Sequence, residues 1–358
     1  MANSVRIAVV ADDLTGALDA VGPFAEAGLR CIVVTAPDHL PGAFGKGAEV
    51  VAVCTDSREM QPEAAADVVR GVAEALRAVP VVFKKIDSRL KGNIAAEVSA
   101  LAQVLGLSEA VICPAIPAME RVVVKGQLRG FGVAQPIDVA GVMAAAVSVA
   151  TQVPDVQTDA DIDAVLAGLG PGVVLVGARG LSAGLARQMR RSAEAIVPDL
   201  PLPRPIAFAI GSRDPITVAQ VAELRRAQPG AACLAAPNGR YNGGPVGAVV
   251  AILQAVPGDD PVAEHDVARR LAQGFVRDLV AGRACLVLTG GATAAAVLAE
   301  MGIGLLQVLG EVLPGLPLCR ALDFPEAPLI VAKSGGFGGP ETLRLLLQDQ
   351  PRKDGGVA

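Results

Sequence analysis

Short, continuous apolar runs alternate along this chain with longer stretches whose apolar residues recur at helical spacing. The first run, residues 7–11 (IAVVA), leads directly into such a stretch at residues 13–28. A strand that is apolar at every position needs cover on both faces, and amphipathic helices after each strand supply it. The alternation therefore predicts an α/β fold with two domains, each a mainly parallel sheet flanked by helices.

The same pattern places the remaining elements and the domain boundary. Residues 139–150 are apolar and Ala-rich but too short to cross a membrane, and they predict a buried helix. Residues 197–205 (VPDLPLPRP) predict an extended linker, because proline fixes φ and removes a donor. We therefore expect domains at residues 1–200 and 201–358, with a frayed tail at 351–358.

Further strands are predicted at residues 31–34, 50–54, 81–83, 110–113, 173–176, 206–210, 232–235, 284–288 and 329–332. Further helices are predicted at residues 62–78, 94–106, 181–195, 217–227, 261–281, 292–301 and 340–348.

Composition excludes several classes of protein. Apolar residues make up 52% of the chain and charged residues 19%, the opposite of a disordered sequence. Neither an apolar run of membrane-spanning length nor a signal peptide is recognisable, which predicts a cytoplasmic protein. The six cysteines are widely spread without a C-x-x-C pair and only two histidines are present, which argues against a zinc site or a disulfide framework. We expect the cysteines to fill the core.

The charge distribution favours a small anionic ligand. The net charge is −5 and aromatic residues are 3%, so the chain lacks the basic, aromatic surface of nucleic-acid-binding proteins. We expect neither nucleic acid nor membrane as a partner. Residues 81–129, however, hold seven basic and four acidic residues. This local excess fits a small anion, although a solvated charged face would give the same count.

Charged residues follow two predicted strands of the first half, at the strand ends where parallel sheets bind ligands. Of Asp12 and Asp13, one can cap the next helix while the other holds a metal or accepts a proton from a substrate hydroxyl. A pair with only a capping role would look the same. Residues 84–93 (KKIDSRLKGN) place four cations and an aspartate together, a set that can clamp a carboxylate. Arg121 is a further candidate for contact with an anion.

Three turns rich in Gly, Ser and Thr follow strands of the second half. They read GSRD at 211–214, TGGAT at 289–293 and KSGGFGG at 333–339. Such turns present backbone N–H groups to phosphates, so three of them favour a nucleotide site. Neither the P-loop pattern nor a G-x-G-x-x-G fingerprint is present. Glu311, in a Gly/Pro-rich stretch expected to be a loop, either holds Mg²⁺ through water or is an ordinary turn carboxylate.

Taken together, these segments resemble the four-carbon acid sugar kinase family. The motifs occur in the family's order and span both halves of the chain. The matching segments are ADDLTGA (11–17), KKIDSRLKGN (84–93), PAIPAMER (114–121), GSRDPITVAQ (211–220), TGGAT (289–293), GEVLPGLP (310–317) and KSGGFG (333–338).

The resemblance implies an enzyme that uses ATP and Mg²⁺ to phosphorylate the terminal hydroxyl of threonate, erythronate or a 3-oxo-tetronate. It implies an N-terminal domain for the sugar acid, a C-terminal domain for ATP, and an active site in the cleft between them. We expect catalytic roles for Asp13, as the proton acceptor, and for Asp87 and Lys333. Substrate-binding residues are expected to be Asp12, Lys85, Arg89, Lys91 and Arg121. Nucleotide-binding residues are expected to be Ser212, Gly290, Gly291, Ala292, Thr293, Gly335, Gly336 and Gly338, with Glu311 as the metal ligand.

The chain departs from the family pattern in the segment that would meet the acid. Arg89 stands where the family has a threonine, and Lys91 stands where it has an arginine. A guanidinium and an ammonium recognise carboxylates differently, so the identity of the acid stays open. A diverged, non-catalytic protein that binds a sugar acid or nucleotide is the alternative function. The absent fingerprint argues against a third, a nicotinamide-dependent dehydrogenase. Apolar surface would allow a homodimer.

Overall fold

The computed structural model describes residues 5–146, 149–170, 172–190 and 198–348, and these fall into two compact units. The first unit is built from the described residues before 197 together with Gly304–Val308, and the second from the others. The predicted tail at 351–358 lies outside the described residues.

The first unit contains strands β1 to β10 and helices α1 to α7. Its strands are β1 (Ile7–Ala11), β2 (Cys31–Val34), β3 (Val50–Cys54), β4 (Val81–Lys85), β5 (Glu109–Cys113), β6 (Arg121–Val124), β7 (Gln127–Gly130), β8 (Ile137–Asp138), β9 (Ala150–Gln152) and β10 (Val173–Gly177). Its helices are α1 (Leu14–Glu26), α2 (Leu40–Ala43), α3 (Pro62–Leu76), α4 (Ile94–Leu105), α5 (Val139–Val142), α6 (Asp159–Ala167) and α7 (Arg179–Met189).

Parallel strands in register form the main sheet of the first unit, in the order β2-β3-β1-β4-β10-β5-β9. Every residue of β1, β2 and β3 is buried, as continuous apolar runs require when helices cover both faces. The register sets Ala11 beside Cys54 and Lys85, and Gly177 beside Lys85. Four neighbouring strands therefore end at one level, and the residues that follow them meet.

Residues 139–150 do not form the predicted buried helix. Among the residues of this stretch that the structure describes, 139–146 and 149–150, only Val139–Val142 is helical, and Ala140 and Gly141 are exposed. An apolar run of this length carries no periodicity that separates a helix from turns. The segment follows a small antiparallel sheet, β6-β7-β8, which the sequence reading also missed.

The second unit contains strands β11 to β17 and helices α8 to α11. Its strands are β11 (Ile206–Ile210), β12 (Ala232–Pro237), β13 (Val250–Val256), β14 (Cys285–Thr289), β15 (Leu305–Leu313), β16 (Leu316–Ala321) and β17 (Leu329–Lys333). Its helices are α8 (Pro215–Ala227), α9 (Glu264–Leu279), α10 (Gly291–Glu300) and α11 (Thr342–Leu345). Residues 305–308 of β15 belong to the first unit, where they pair antiparallel with β2.

The sheet of the second unit runs β12-β13-β11-β14-β17-β16-β15. Strands β12, β13, β11, β14 and β17 are parallel, and β16 is antiparallel to β17. Its core includes Phe208 and Ile252 from the sheet and Leu224 from α8. Leu202 of the proline-rich stretch is also in this core, and its N–H donates to Leu346 O at 3.0 Å. Leu200 and Leu202 therefore pack against the second unit, to which the described part of the predicted linker, residues 198–205, belongs. Residue 197 lies outside the described residues.

The predicted α/β class is confirmed, with mainly parallel sheets flanked by helices. The sequence reading missed the strands β13, β15 and β16, and it extended α11 beyond its four residues. Cys233 is exposed, unlike the core position predicted for it. Within the described residues, none of the helices combines the length and the apolar character that a bilayer crossing requires.

Candidate functional site

Two aspartates and an arginine form a charged cluster beyond the strand ends of the first unit. Asp12 and Asp13 follow β1, and Arg58 lies in the loop after the neighbouring strand β3. Arg58 donates from Nε and Nη2 to the two oxygens of Asp12, and from Nη1 to Asp13 Oδ2, each at 2.8 Å. A guanidinium held in this two-pronged way fixes geometry as well as charge. The sequence reading identified both aspartates and missed Arg58.

The two aspartates differ in how many hydrogen-bond acceptor positions remain open to a ligand. Asp13 caps α1, with Oδ1 accepting from Gly16 N at 2.7 Å and Oδ2 accepting from Thr15 Oγ1 at 2.9 Å. With the bond from Arg58 this makes three donors, and a carboxylate has about four acceptor positions. The Asp13 side chain is 19% exposed and that of Asp12 only 3%. Asp13 can therefore accept one more hydrogen bond from a ligand, whereas Asp12 is closed off.

Mutual attraction keeps Asp12 and Arg58 ionised. Burial alone would raise the pKa of Asp12, but the hydrogen bonds from Arg58 and the positive charge of Lys84 lower it below the usual aspartate value. Burial would likewise lower the pKa of Arg58, but the hydrogen bonds to Asp12 and the charge of Asp13 raise it. Asp12 and Arg58 are thus both charged at neutral pH.

A fully buried ion pair supports this cluster from below. Lys84 Nζ lies 2.6 Å from Glu97 Oε2, and the two side chains are 0% and 1% exposed. Ser57, beside Arg58, donates to Glu97 Oε1 at 2.5 Å, and Lys84 Nζ donates to Lys85 O at 3.1 Å. Buried charges persist when they are paired and hydrogen-bonded on all sides. The network therefore ties the loop after β3 and the end of strand β4 to helix α4.

Lys85, predicted to bind substrate, lies in a second charged group. Its Nζ donates to Ile86 O at 3.0 Å and lies 3.7 Å from Asp19 Oδ2. Arg179, at the start of α7, donates from Nη1 to Asp19 Oδ1 at 3.4 Å. A Cβ on Gly16 would lie 3.5 Å from Lys85 Nζ, so this lysine lies close to the capped end of α1. Arg179 is a further cation that the sequence reading missed.

The loop after β4 combines an anchored aspartate with exposed cations. Asp87 Oδ1 accepts from Arg89 N at 2.8 Å and from Lys91 N at 3.4 Å, which shapes the turn. The side chains of Arg89 and Lys91 are exposed. Asn93 Nδ2 donates to Ser57 O at 3.0 Å and to Met60 O at 2.9 Å, so this loop is joined to the one that carries Arg58.

Arg121 is a buried side chain that hydrogen-bonds the loop after β4 to Phe131. It is 5% exposed, and its Nε and Nη2 donate to Phe131 O at 3.1 and 2.8 Å. Its Nη1 donates to Ser88 Oγ at 2.5 Å. Burial and the nearby charge of Arg89 lower the pKa of Arg121. The structure thus brings Arg121 to the loop that holds Asp87 and Arg89, but commits most of its donors to the protein.

Asp56 is a third acidic residue beside Asp13. Its φ of +50° lies in the left-handed region, which non-glycine residues rarely adopt. The backbone N–H groups on either side of it are fixed, with Thr55 N donating to Ala11 O at 2.8 Å and Ser57 N donating to Asp12 O at 3.0 Å. Partial burial and the charge of Asp13 raise the pKa of Asp56. Strain of this kind accompanies functional sites.

In the second unit, the three glycine-rich turns meet because their strands end in register. Thr289 of β14 is opposite both Ile210 of β11 and Lys333 of β17. The turns also interlock, since a Cβ on Gly211 would lie 1.8 Å from Thr293 Oγ1. Only glycine at this position lets the first two turns come so close.

These turns line a cavity of about 460 Å³, within the size range of small-molecule sites. Helix α10 begins there with no side-chain cap, so its first N–H groups are available to an anion. Asp214 caps α8, with Oδ1 accepting from Ile216 N at 2.9 Å. The wall includes seven predicted nucleotide-binding residues, Ser212, Gly290, Gly291, Ala292, Thr293, Gly335 and Gly336. It also includes residues the sequence reading did not select, Gly211, Arg213, Asp214, Val262, Glu264, Val267 and Ala268.

Lys333 lies beneath the last turn and outside the residues that line this cavity. It is 0% exposed, and its Nζ donates to Ser334 O at 2.8 Å and to Gly335 O at 3.0 Å. Thr217 Oγ1 donates to the same Gly335 O at 2.6 Å. Burial lowers the pKa of Lys333 to about 8, against a small opposing effect of Asp214. The geometry makes Lys333 a support for the turn.

Gly338 and Glu311 also lie away from the residues that line the cavity. Gly338 has a φ of +83°, and a Cβ there would lie 2.4 Å from Thr342 Oγ1, so it packs against α11. Glu311 is a buried residue of strand β15, not of the loop expected from the sequence, and its Oε2 accepts from Gly315 N at 2.7 Å. This hydrogen bond joins Glu311 to the turn between β15 and β16. Asp214 is a carboxylate that does reach the cavity wall.

Comparison with known proteins assigns a description to each part of the chain. Residues 7–142 match the model of a family described as a sugar-binding N-terminal domain, and residues 246–343 match a nucleotide-binding C-terminal domain. The charged cluster at Asp12 and Asp13 falls in the first match. The turns at 289–293 and 333–339 fall in the second.

Whole-chain relatives have matching names. A D-threonate kinase of Bordetella bronchiseptica is 34% identical over 94% of this chain and 95% of its own length. A 3-oxo-tetronate kinase of Methylobacterium radiotolerans is 30% identical over 94% of this chain and 97% of its own. The crystal structure of a Haemophilus influenzae protein matches with a TM-score of 0.67 at 17% identity, over 95% of this chain and 98% of that one. At that identity, the likeness shows the fold alone.

Gly92 offers a test of how tightly the charged cluster is packed. Its φ is +91°, and a Cβ there would lie 2.9 Å from Asp12 Oδ2. We expect Gly92→Ala to displace the Asp12–Arg58 pair and to lower the free energy of unfolding by about 2–4 kcal/mol, measured by urea denaturation. Gly45→Ala is the matched control, because its φ is +84° with no atom within 4 Å of the added Cβ. Equal losses in the two variants would contradict this packing.

Lys333 predicts a pH dependence of stability. With a pKa lowered from 10.5 to about 8, the folded protein releases this proton below the pH at which the unfolded chain does. The contribution of Lys333 to stability is therefore least favourable below pH 8 and improves as the pH rises towards 10.5. Each pH unit in this window corresponds to about 1.4 kcal/mol.

We therefore compare Lys333→Met with the wild type by urea denaturation near pH 7 and near pH 9.5. The stability of the wild type relative to the variant should increase by about 1–2 kcal/mol between the two conditions. Lys46→Met, which removes an exposed lysine, should show no such change. A difference for Lys333→Met that stays constant would mean that the buried amine keeps its ordinary pKa.

Proposed function

Because this chain belongs to the four-carbon acid sugar kinase family, we propose that it transfers the γ-phosphoryl group of ATP to the terminal hydroxyl of a four-carbon acid sugar. The acid is of the class of threonate, erythronate or 3-oxo-tetronate, the substrates that the relatives' names state. The 34% identity to a D-threonate kinase over nearly the full length of both chains supports the whole activity rather than one domain.

One structural observation carries the proposal. Three glycine-rich turns end neighbouring strands in register and line one cavity of about 460 Å³, with the uncapped N-terminus of α10 in its wall. Backbone N–H groups on close-packed glycines can approach phosphates without steric hindrance. Arg213 adds an exposed cation to the same wall. This combination suits a nucleoside triphosphate.

The first unit would bind and activate the sugar acid. Arg89 and Lys91 are exposed cations that can meet its carboxylate, and Lys85 ends the strand β4 from which their loop leaves. Asp13 would accept the proton of the terminal hydroxyl while the oxygen forms its bond to the γ-phosphorus. The bond between that phosphorus and the leaving oxygen of ADP then breaks. Such transfers depend on positioning and charge neutralisation more than on covalent catalysis.

The metal that accompanies ATP fits Asp214 better than Glu311. Mg²⁺ bound with a nucleotide needs only one or two carboxylates, because phosphates and water complete its shell. Asp214 reaches the cavity wall and uses one oxygen for capping α8, whereas Glu311 is buried in its hairpin. When bound, Mg²⁺ would offset charge on the phosphates. Lys333 would act by holding the carbonyls of Ser334 and Gly335.

The activity is tested by thermal shift with Mg-ATP, followed by ADP release with a panel of four-carbon acid sugars. We expect ATP to raise the melting temperature, because a ligand that binds only the folded state stabilises it. We also expect ADP release with at least one acid. Stabilisation by ATP with no turnover on any acid would support the non-catalytic binding protein instead. No response to ATP would remove the nucleotide assignment.

Asp13→Asn tests the proton acceptor. Asparagine caps a helix as well as aspartate does, so the fold should persist. We expect kcat to fall by about 10²- to 10⁴-fold. The Kd for ATP should stay unchanged, since the cavity in the second unit is lined by other residues. The matched control is Asp56→Asn, the same change in the neighbouring loop. If Asp56→Asn loses kcat while Asp13→Asn keeps it, the proton goes to Asp56.

A further inference from the structure

The cavity of the second unit has two chemically different ends, and the strand order sets them. Its walls follow four neighbouring parallel strands, in the order β13-β11-β14-β17. At the usual spacing between strands, the first and last lie about 14 Å apart. The glycine turns follow β14 and β17, and helix α9 follows β13. The N-terminal turns of α9 therefore border the end of the cavity remote from β17.

The end near β14 and β17 suits phosphates. Gly290, Gly291, Gly335 and Gly336 carry no side chain there, and α10 starts without a cap. Within the described residues, no protein acceptor is found for the backbone N–H groups of Gly335 and Gly336. Backbone donors that no protein group accepts from can meet a polyanion at close range.

The α9 end suits a nucleoside. Val267 and Ala268 are 6% and 4% exposed, and with Val262 they give this wall an apolar surface. Glu264 lies on the same wall, exposed, and none of the described residues bonds to its side chain. A carboxylate there repels phosphates, yet it can accept hydrogen bonds from two adjacent hydroxyls.

We propose that Glu264 binds the ribose hydroxyls of ATP, with the base against the apolar α9 wall and the phosphates at the glycine turns. The proposal rests on the proposed nucleotide use and adds the direction in which the nucleotide lies. It makes Glu264 a specificity-determining residue that selects ribonucleotides. It also explains why an acidic side chain faces a site for a highly charged anion.

The test is calorimetric binding of Mg-ATP, Mg-2′,3′-dideoxy-ATP and inorganic tripolyphosphate to the wild type and to Glu264→Ala. We expect Glu264→Ala to weaken ATP binding by about 10- to 50-fold, the loss of hydrogen bonds to a charged group. The wild type should bind the dideoxy compound more weakly than ATP by a similar factor, and the variant should bind both equally. Tripolyphosphate should bind the variant at least as tightly, because a negative charge is removed.

His265→Ala is the matched control, an exposed neighbour on the same helix and not among the residues lining the cavity. It should leave all three affinities unchanged. Undiminished ATP binding by Glu264→Ala would overturn the proposal, as would equal weakening of ATP and its dideoxy analogue. Failure of the wild type to bind ATP at all would overturn the proposed function, and this assignment with it. Wild-type binding, measured first, separates the two failures.

Discussion

Both candidate sites depend on the register of parallel strands. In the first unit Ala11 is level with Cys54 and Lys85, and in the second Thr289 is level with Ile210 and Lys333. Residues far apart in sequence, such as Asp12 and Arg58, reach 2.8 Å only because their strands end together. A shift of one strand by a single residue would turn its side chains to the other face and separate these groups.

A buried lysine stands beneath each site, and the two are compensated differently. Lys84 has an ionic partner, Glu97, at 2.6 Å, together with backbone carbonyls. Lys333 has carbonyl oxygens and a distant hydroxyl, Thr217 Oγ1 at 3.5 Å, and burial lowers its pKa to about 8. Carbonyl dipoles orient an ammonium but offset its desolvation less than a full negative charge does. The first site is therefore supported by a buried ion pair, and the second by a lysine whose pKa burial lowers to about 8.

Much of the fold and part of each site could be predicted from the sequence. Continuous apolar strands predict a parallel sheet covered by helices on both faces. Ligand-binding groups in such sheets follow the strand ends, so Asp12, Asp13 and the glycine turns could be selected as candidates from their positions alone. Arg58 could not, because its role exists only through the pairing of β1 with β3. The orientation of the Lys333 side chain could not be predicted either: the sequence gives its distance from the turn, but not that its Nζ donates to the carbonyls of Ser334 and Gly335.

Helix α9 shows the same limit at larger scale. The sequence pattern of α9 predicts an amphipathic helix. The position of its first turn, however, follows from strand β13, which the sequence analysis did not predict. An apolar run such as that of β13 is compatible with a helix or a strand, and the neighbours decide. From the sequence, Glu264 is an acidic residue in the first turn of a helix. The pairing of β13 with β11 shows in addition that it lies on the wall of the cavity.

Under the proposed function, substrate choice in the first unit would fall on the charged side chains that the protein does not itself bind. Asp12, Arg58 and Asp13 satisfy one another and carry a net negative charge, so this trio cannot itself attract an acid. Lys85 is 3% exposed, and Arg121 is spent on Phe131 and Ser88. Among the cations of the loop after β4, this leaves Arg89 and Lys91. Within the segment KKIDSRLKGN these are the two positions that differ from the family's motif, so discrimination among related acids would be concentrated there.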